Sequence, residues 1–553
     1  MTQILDQTAD TVLYNARVIT MDPALPRATA IAVRDGRFVG VGDEAGLRPL
    51  VGPRTERLNL GGRAVVPGLI DTHNHLSSTG LGMLHVSLEG VRRIGDIVGR
   101  IAERVRATPP GEWIVTAQVG EPAISHLLAE RRYPTRADLD PVSPDHPVCI
   151  QAPHVLIVNS AALRRVGVDR GTPDPPGGQL GRDERGELTG LFYEPPAMAL
   201  VRQHLPPVTH ADRVAGLRLA CQAYNRVGLT SVCEHGASLE AVAAYQDLWA
   251  RGELTVRSYV HVALDPTQSL AELDAFMAHL AFTGGPGFGD DWLRVAGLKL
   301  FIDGGVGIGT ALMREPYRTA SGECSHGVQI IPTDRLLEIL RLANKHRLRV
   351  AQHDSGGRAI DLVLDCYARV DAEVPIADRR FVLVHCQFPS EANIAAIKRL
   401  GAVVVTQTVF LYSMGVGYVK YLGRELADQA IPLRRWLDAG VPVALGSDAP
   451  VNPYEPLLGL WHAVTRQDKQ TGEVIGPDQR ITAAEALQGY TVNGAYITFD
   501  ERRKGVIAPG RLADLVVLGD DPLTCPTEAI RNLPVELTMV GGRIVHAAPG
   551  LGG

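Results

Sequence analysis

Eight short runs rich in β-branched residues alternate with amphipathic helical segments between residues 64 and 447, and this alternation limits how the chain can fold. The pattern is typical of parallel α/β folds, because a helix must cross back over the sheet between parallel strands. Eight strand–helix units are what a (β/α)8 TIM barrel requires, so we predict that fold. A doubly wound open sheet is the alternative, because periodicity does not reveal closure. The predicted strands are AVVPGLIDTH, LTSVCEH, TVRSYVHVAL, WLRVAGLKLFI, RLRVAQH, FVLVHCQ, AVVVTQT and VPVALGS.

The two ends of the chain show another pattern, in which short strands are separated by turns. RDGR at residues 34–37 predicts one hairpin, and Gly541–Gly542 predict another near the C-terminus. Each end is too short to bury a core alone. We therefore predict that residues 1–65 and 500–553 form a composite β-sandwich beside a barrel over residues 66–499.

A large insertion separates the first two predicted barrel strands. Residues 76–228 contain additional strands and a Pro/Gly-rich loop, far more than one crossing helix needs. Loops that follow barrel strands lie at the C-terminal mouth, where substrates bind. We predict that residues 76–228 form an insertion subdomain there.

Charge and cysteine usage exclude several classes of partner and compartment. The net charge is −6, which argues against the basic surface that binding to nucleic acids requires. No apolar stretch approaches the ~20 residues of a membrane span, so we expect neither a nucleic acid nor a membrane as partner. Asp6 and Asp10 stand where a signal peptide would be apolar, and seven cysteines are dispersed without a C-x-x-C pair. These features predict a cytoplasmic protein with reduced thiols.

Five side chains of the kind that ligate metals stand at the ends of predicted strands. His73 and His75, in VVPGLIDTHNHL, are two residues apart, so both point the same way from the first strand. His353, His385 and Asp448 end three further strands. Taken singly, His353 could be a core histidine and Asp448 a helix N-cap. Because the C-terminal ends of barrel strands surround one site, the set together predicts a metal centre.

Lys299 lies within the apolar run WLRVAGLKLFI, where a lysine is costly unless it is paired or neutral. One interpretation is a buried salt bridge, with Asp303 as the partner. The other is that burial depresses the pKa of the amine, so that the neutral lysine can react with carbon dioxide. The carbamate so formed would be an anionic ligand with two oxygens.

These residues and the motifs around them resemble those of a known family. The chain is similar to the amidohydrolase superfamily, in particular the branch of N-substituted formamide deformylase and YtcJ-like hydrolases (amidohydrolase family 3). The resemblance covers nearly the whole chain. It is carried by LYNARVITMD, AIAVRDGRFVGVG and VVPGLIDTHNHL near the start, by HVLIVNSAALRRVGV, GLKLFIDGG, GGRAID and GSDAPV within the barrel, and by KGVIAPGRLADLVVLGDDPL and VGGRIVH near the end.

The resemblance implies a (β/α)8 barrel, a composite β-sandwich and a centre of one or two divalent metal ions, usually Zn²⁺. By position, His73 and His75 would bind the more buried ion. Lys299, if N6-carboxylated, would bridge to a second ion held by His353 and His385. Analogy with the family also suggests a homodimer.

The resemblance further implies the chemistry. Asp448 would be both a ligand and the catalytic proton shuttle, while metal-activated hydroxide attacks a non-peptide C–N bond of a small-molecule substrate. His154, which matches a histidine of the family's insertion, would bind the substrate or its developing oxyanion. The expected substrate is an N-substituted amide or formamide.

The chain also departs from the branch around its expected ligands. Gly357 replaces an acid in the stretch HDSGGRAID, Asp354 follows His353 directly, and Val384 precedes His385 where branch members commonly carry glutamate. Such neighbours tune metal affinity and pocket shape. The type of reaction can therefore be inferred from the branch more readily than the identity of the substrate.

Several other functions remain open. A heterocycle aminohydrolase would use a mononuclear site without a bridging carbamate, and decarboxylation or the hydrolysis of a carbamate or urea would suit the same residues. A non-catalytic scaffold of the same fold would lack most of the ligand set, which this chain retains. A nucleotide-binding α/β protein is disfavoured because no predicted strand leads into a Gly-rich phosphate loop.

Overall fold

The computed structural model describes residues 8–117, 128–152, 155–281, 288–318 and 324–551. Within these ranges, no helix combines the length and the apolar character that crossing a bilayer demands. The strands, in chain order, are β1 Thr11–Tyr14, β2 Arg17–Ile19, β3 Arg27–Ala28, β4 Ala30–Arg34, β5 Arg37–Gly42, β6 Glu56–Asn59, β7 Ala64–Pro67, β8 Leu69–Asn74, β9 Ile114–Val115, β10 Val148–Ala152, β11 Val155–Val158, β12 Gln179–Arg182, β13 Leu188–Tyr193, β14 Leu229–Ala237, β15 Arg257–Ala263, β16 Phe288–Gly289, β17 Leu293–Phe301, β18 Tyr317–Arg318, β19 Cys324–Ser325, β20 Arg349–Asp354, β21 Val382–His385, β22 Val403–Thr406, β23 Val443–Leu445, β24 Leu515–Leu518, β25 Val535–Val540 and β26 Arg543–Ala547.

The helices fill the intervals between these strands. The amphipathic segments LEAVAAYQDLWARG, DRLLEILRLANKH, SEANIAAIKRLG and IPLRRWLDAG form helices Leu239–Ala250, Thr333–Lys345, Glu391–Leu400 and Leu433–Asp438. The others are Glu44–Leu47, Leu76–Leu84, Ile94–Arg106, Arg136–Leu139, Ser160–Val166, Glu194–Arg202, His210–Arg226, Leu270–Leu280, Gly357–Glu373, Val409–Leu422, Arg424–Asp428, Pro456–Thr465, Ala483–Gly489 and Val492–Ile497.

Eight parallel strands form a barrel, in the order β8, β14, β15, β17, β20, β21, β22 and β23. Each corresponds to one of the eight runs in the sequence, so the predicted TIM barrel is confirmed. Hydrogen bonds close the seam between β23 and β8; among them, the Thr72 hydroxyl donates to Leu445 O at 2.8 Å and Asp448 N donates to His73 O at 2.7 Å. The open-sheet alternative is therefore wrong.

Strands from both ends of the chain share a second core. One sheet has the order β5, β4, β1 and β6, and the other has the order β26, β25, β24, β7, β2 and β3, so that C-terminal β24 pairs with N-terminal β7. Apolar side chains of both sheets pack together; among them are Leu13, Ile31, Phe38, Val65, Leu515, Leu537 and Met539. Neither end could bury these residues alone.

Residues 77–220 form a compact unit of their own. Its sheet has the order β12, β13, β11, β10 and β9, and helix Ile94–Arg106 packs Ile97 and Ile101 into the core on that sheet. The remainder of the chain, including the barrel and the two terminal sheets, forms the other unit. The domain boundaries given from the sequence stay a prediction.

A buried ion pair joins the barrel to the terminal sheets. Arg257, the first residue of β15, makes two hydrogen bonds of 2.7 and 2.9 Å to the carboxylate of Asp514, which directly precedes β24. The side chains of both residues are almost fully buried. Loss of either partner would leave an uncompensated charge in the interior.

We expect Asp514→Asn to lower the free energy of unfolding by about 3–5 kcal/mol, because Arg257 would lose its buried counter-charge. The matched control is Glu373→Gln, which removes the same charge from an exposed pair with Arg341 and should cost less than about 1 kcal/mol. Urea unfolding followed by circular dichroism measures both. Equal costs for the two variants would contradict a structural role for the buried pair.

Candidate metal centre

Two histidines of β8 and the carboxylate that follows β23 form the first part of the site. His73 Nε2 and His75 Nε2 each lie 3.1 Å from the same oxygen, Oδ1 of Asp448. The candidate ligand atoms of these three residues all lie within 4.8 Å of one another. Residues distant in sequence meet here because the barrel seam joins the two strands.

The second part is a pair of histidines at the ends of β20 and β21. His353 Nδ1 and His385 Nε2 face each other at 2.9 Å. The outer nitrogen of each ring meets an oxygen: His385 Nδ1 lies 2.6 Å from Oε1 of Gln407, and His353 Nε2 lies 3.3 Å from the carbonyl oxygen of Gly304. Amide and carbonyl oxygens can only accept, so these contacts favour protons on the outer nitrogens. The hydroxyl of Ser355, which can also accept, lies 3.3 Å from the same His353 Nε2.

In the tautomers that these contacts favour, both inner nitrogens carry lone pairs. Two lone pairs that face each other repel, unless a proton or a metal ion lies between them. The ring of His73 is centred 5.1 Å from that of His385, so the pair adjoins the first three residues. This arrangement of imidazoles beside a carboxylate is the donor set that binds zinc and similar cations, and the residues fit a metal ion.

Lys299, on β17, lies within the same cluster. Its amine is buried and has no hydrogen-bond partner among the described residues. Burial lowers the pKa of Lys299 to about 7, although the charges of Asp448 and Asp354 act in the opposite direction. A buried amine that is partly neutral at neutral pH meets the requirement for carboxylation.

Asp303 does not pair with Lys299, so the salt bridge considered from the sequence is wrong. Its carboxylate accepts backbone hydrogen bonds from Leu312, Ser355 and Gly356 at 2.8, 2.9 and 2.8 Å. The carboxylate also lies 3.8 Å from His353 Nε2. Asp303 thus ties together the loops that follow β17 and β20.

Burial and local contacts set the protonation of the first three residues. Burial lowers the pKa of His73 to about 4, which keeps its imidazole neutral at neutral pH. Burial opposes ionisation of Asp448, but interaction with His73 and hydrogen bonds from His73 and His75 outweigh it and hold the pKa well below the usual range. An ionised carboxylate at this position can act as a ligand or as a base.

Two of the candidate ligands adopt a left-handed backbone conformation. The φ angles are 76° at His385 and 62° at Asp448. Residues with a Cβ rarely adopt this conformation, which costs of order 1–3 kcal/mol and is concentrated at functional sites. Asp71 supports the strained loop before Asp448, because its carboxylate accepts hydrogen bonds from Ser447 N at 3.0 Å and Ser447 Oγ at 2.6 Å.

The structure also places residues beside the site that the sequence analysis did not select. His235 and His261 are fully buried on β14 and β15. The ring centre of His235 lies 4.8 Å from that of His73 and 4.5 Å from that of His261. Their ring nitrogens have no hydrogen-bond partner within the part of the chain that the structure describes. His235 ends a predicted strand, as the selected histidines do, so the same criterion could have found it.

The structure brings His73, His75 and Asp448 together and places His353 and His385 beside them. The charge of Lys299 lowers the pKa of His73, His353 and His385. His154, predicted to bind substrate, lies outside the described residues. The roles of these residues stay predictions.

Gly357, where the branch carries an acid, leaves room for an arginine. A Cβ at this position would lie 2.4 Å from Nη1 of Arg314. That guanidinium makes two hydrogen bonds of 2.7 Å to Asp361, one of 2.7 Å to Asn393 and one of 3.0 Å to Phe388 O. The loop after β17 is therefore fastened to the helices that follow β20 and β21.

The fold and the site together define a TIM-barrel protein with a candidate metal centre at the C-terminal ends of its strands. Residues 56–546 match the sequence model of the amidohydrolase family. The chain therefore belongs to the amidohydrolase family.

Individual proteins show the same relationship. The chain is 30% identical over 548 residues to YtcJ of Bacillus subtilis (strain 168), covering 97% of this chain and 99% of YtcJ. It is 29% identical over 567 residues to the N-substituted formamide deformylase of Arthrobacter pascens, covering 99% of this chain and all of that enzyme. A crystal structure of an uncharacterized metal-dependent hydrolase from Pyrococcus furiosus has the same fold, with a TM-score of 0.73, 24% identity and coverage of 93% of this chain and 100% of that chain.

We expect Gly357→Ala to destabilise the protein by about 1–3 kcal/mol, because the new methyl group would displace the guanidinium of Arg314. The cost should be smaller in an Arg314→Met background, where the guanidinium is absent and only the 3.0 Å approach to Phe388 O remains, giving a coupling of at least about 0.5 kcal/mol in a double-mutant cycle. Urea midpoints of the four proteins measure this coupling. Strictly additive costs would show that Arg314 does not require the glycine.

Proposed function

We propose that this protein is a metal-dependent hydrolase that cleaves a non-peptide C–N bond, with an N-substituted amide or formamide as substrate. The observation that carries the proposal is the 2.9 Å approach of His353 Nδ1 to His385 Nε2 beside the His73–His75–Asp448 group. The substrate class is supported by the similarity over the full length to an N-substituted formamide deformylase.

His73 and His75 would hold one cation, and His353 and His385 would hold a second. Carboxylated Lys299 would bridge the two, and its burial without a hydrogen-bond partner among the described residues supports this role. Imidazole and carboxylate-type donors favour Zn²⁺. When bound, a divalent ion lowers the pKa of water toward ~7 and polarises a carbonyl group.

Asp448 would move the proton. Its carboxylate, kept ionised by the contacts with His73 and His75, would take the proton of the attacking water. It would then deliver that proton to the leaving nitrogen, because an amine departs readily only when protonated. Asp448 has a left-handed backbone conformation, and its Oδ1 lies 3.1 Å from Nε2 of both histidines.

A heterocycle aminohydrolase is the second candidate, because His73, His75 and Asp448 form a three-residue ligand group without Lys299. Such an enzyme would use one ion and an unmodified lysine. Cytoplasmic location, a homodimeric state and substrate binding by His154 also stay predictions.

We expect His73→Ala and Asp448→Asn each to abolish turnover, whereas only His73→Ala should lose bound metal. Loss of a general acid–base typically costs about 10²–10⁴-fold in rate. Zinc content measured by mass spectrometry and amine release from formamides, acylated amines, ureas and heterocyclic amines provide the two readouts. His279→Ala, on an exposed helix surface, is the control and should change neither. A fully active Asp448→Asn variant would refute the proton shuttle.

For Lys299 we expect a carbamate resonance in ¹³C NMR after growth or incubation with ¹³C-labelled bicarbonate. Lys299→Met should abolish this signal and bind fewer equivalents of zinc than the wild type, since the bridging ligand would be missing. One equivalent of zinc in a wild-type protein with unmodified Lys299 would favour the aminohydrolase.

A further inference from the structure

Gln407 directly follows β22 and places its amide against a candidate ligand. Its side chain is fully buried, and Oε1 lies 2.6 Å from Nδ1 of His385. The other end of the amide, Nε2, lies 3.4 Å from the carbonyl oxygen of Val405, where only a donor fits. Both contacts favour the orientation in which the oxygen of Gln407 meets His385.

This contact decides the tautomer of His385. An amide oxygen only accepts hydrogen bonds, so Nδ1 of His385 must carry the proton and Nε2 must carry the lone pair. Without an acceptor at Nδ1, the ring would be free to place its proton on Nε2, which faces His353. The proton would then occupy the space that a metal ion requires.

We propose that Gln407 is a positioning residue that fixes His385 in the Nδ1-protonated tautomer and holds the Nε2 lone pair toward His353. This inference rests on the proposed function, because the lone pair is useful only if a cation binds there. Partners of this kind orient metal-binding histidines in many proteins.

The backbone of His385 is held by the same segment of chain. The hydroxyl of Thr406 donates to the carbonyl oxygen of His385 at 2.8 Å. His385 itself has a φ of 76°, so both its backbone conformation and its ring depend on contacts from residues 406 and 407. His353 Nε2 instead lies 3.3 Å from both the backbone carbonyl of Gly304 and the hydroxyl of Ser355, so its tautomer does not depend on a single side chain.

The choice of glutamine has a chemical consequence. Asp303, Asp354 and Asp448 already place three buried carboxyl groups near the site. A neutral amide accepts a hydrogen bond from the imidazole without adding a further charge, whereas a carboxylate would raise the basicity of His385. Glutamate at position 407 should therefore preserve the hydrogen bond and strengthen metal binding.

The test compares zinc affinities by competition with a chromophoric chelator, using the whole protein. We expect Gln407→Met, which has a similar volume but no acceptor, to weaken binding by about 10–100-fold. Gln407→Glu should bind zinc at least as tightly as the wild type. The visible spectrum of the Co²⁺-loaded protein should change in the methionine variant, because a reoriented His385 alters the ligand field.

The matched control is Gln352→Met. Gln352 is equally buried, on β20, but its amide pairs with the hydroxyl of Tyr367 instead of an imidazole. We expect this variant to lose a comparable amount of stability, with unchanged zinc affinity and Co²⁺ spectrum. If Gln407→Met fails to fold, Gln407→Asn is the second variant, since its shorter side chain cannot reach His385 and should also weaken binding.

The outcomes separate the two proposals. A wild-type protein that binds no divalent cation would refute the proposed function. Tight binding by the wild type with equal affinity in Gln407→Met would refute the role of Gln407 alone. Equal losses in Gln407→Met and Gln407→Glu would do the same, because they would point to packing and not to the hydrogen bond.

Discussion

The backbone hydrogen bond from Asp448 N to His73 O, 2.7 Å long, closes the barrel where its last strand meets its first. A barrel closes only if its last strand pairs with its first in the correct register, and this bond fixes that register together with the bond from the Thr72 hydroxyl to Leu445 O. Gly446 makes the approach possible, since a Cβ there would lie 2.6 Å from His73 N. Closure therefore builds the His73–His75–Asp448 group at the same time as it completes the fold.

The site places polar groups in an interior where they are costly unless they find partners. The protein satisfies the outer nitrogens of His353 and His385 with oxygens of Gly304 and Gln407. It leaves the inner nitrogens and the amine of Lys299 without such oxygens among the described residues. Because an unpaired buried polar group is destabilising, this selective omission indicates that something else completes the site. Left-handed backbone at His385 and Asp448 adds a further cost that the surrounding fold must offset.

Periodicity was sufficient to predict the eight barrel strands, because each is buried on both faces and reads as a continuous β-branched run. The strand-end criterion selected His73, His75, His353, His385 and Asp448 because side chains at that edge converge in any parallel barrel. The criterion was not applied to His235, although this residue ends a predicted strand, and it could not select His261, which lies inside β15. Gln407 could not be found in this way, since a glutamine after a strand has no distinctive pattern and gains its meaning only from the imidazole beside it.

By itself the sequence determined the alternation of strands and helices, the pairing of the two chain ends into one sandwich and the residue types available at the strand ends. Local patterns suffice for these features because they depend on which faces must be buried. Only the tertiary structure decided that the sheet closes, that Asp303 binds backbone amides instead of Lys299, and that Gly357 makes room for Arg314. Each of these depends on distances between residues far apart in the chain, and such distances are set by packing and not by local periodicity.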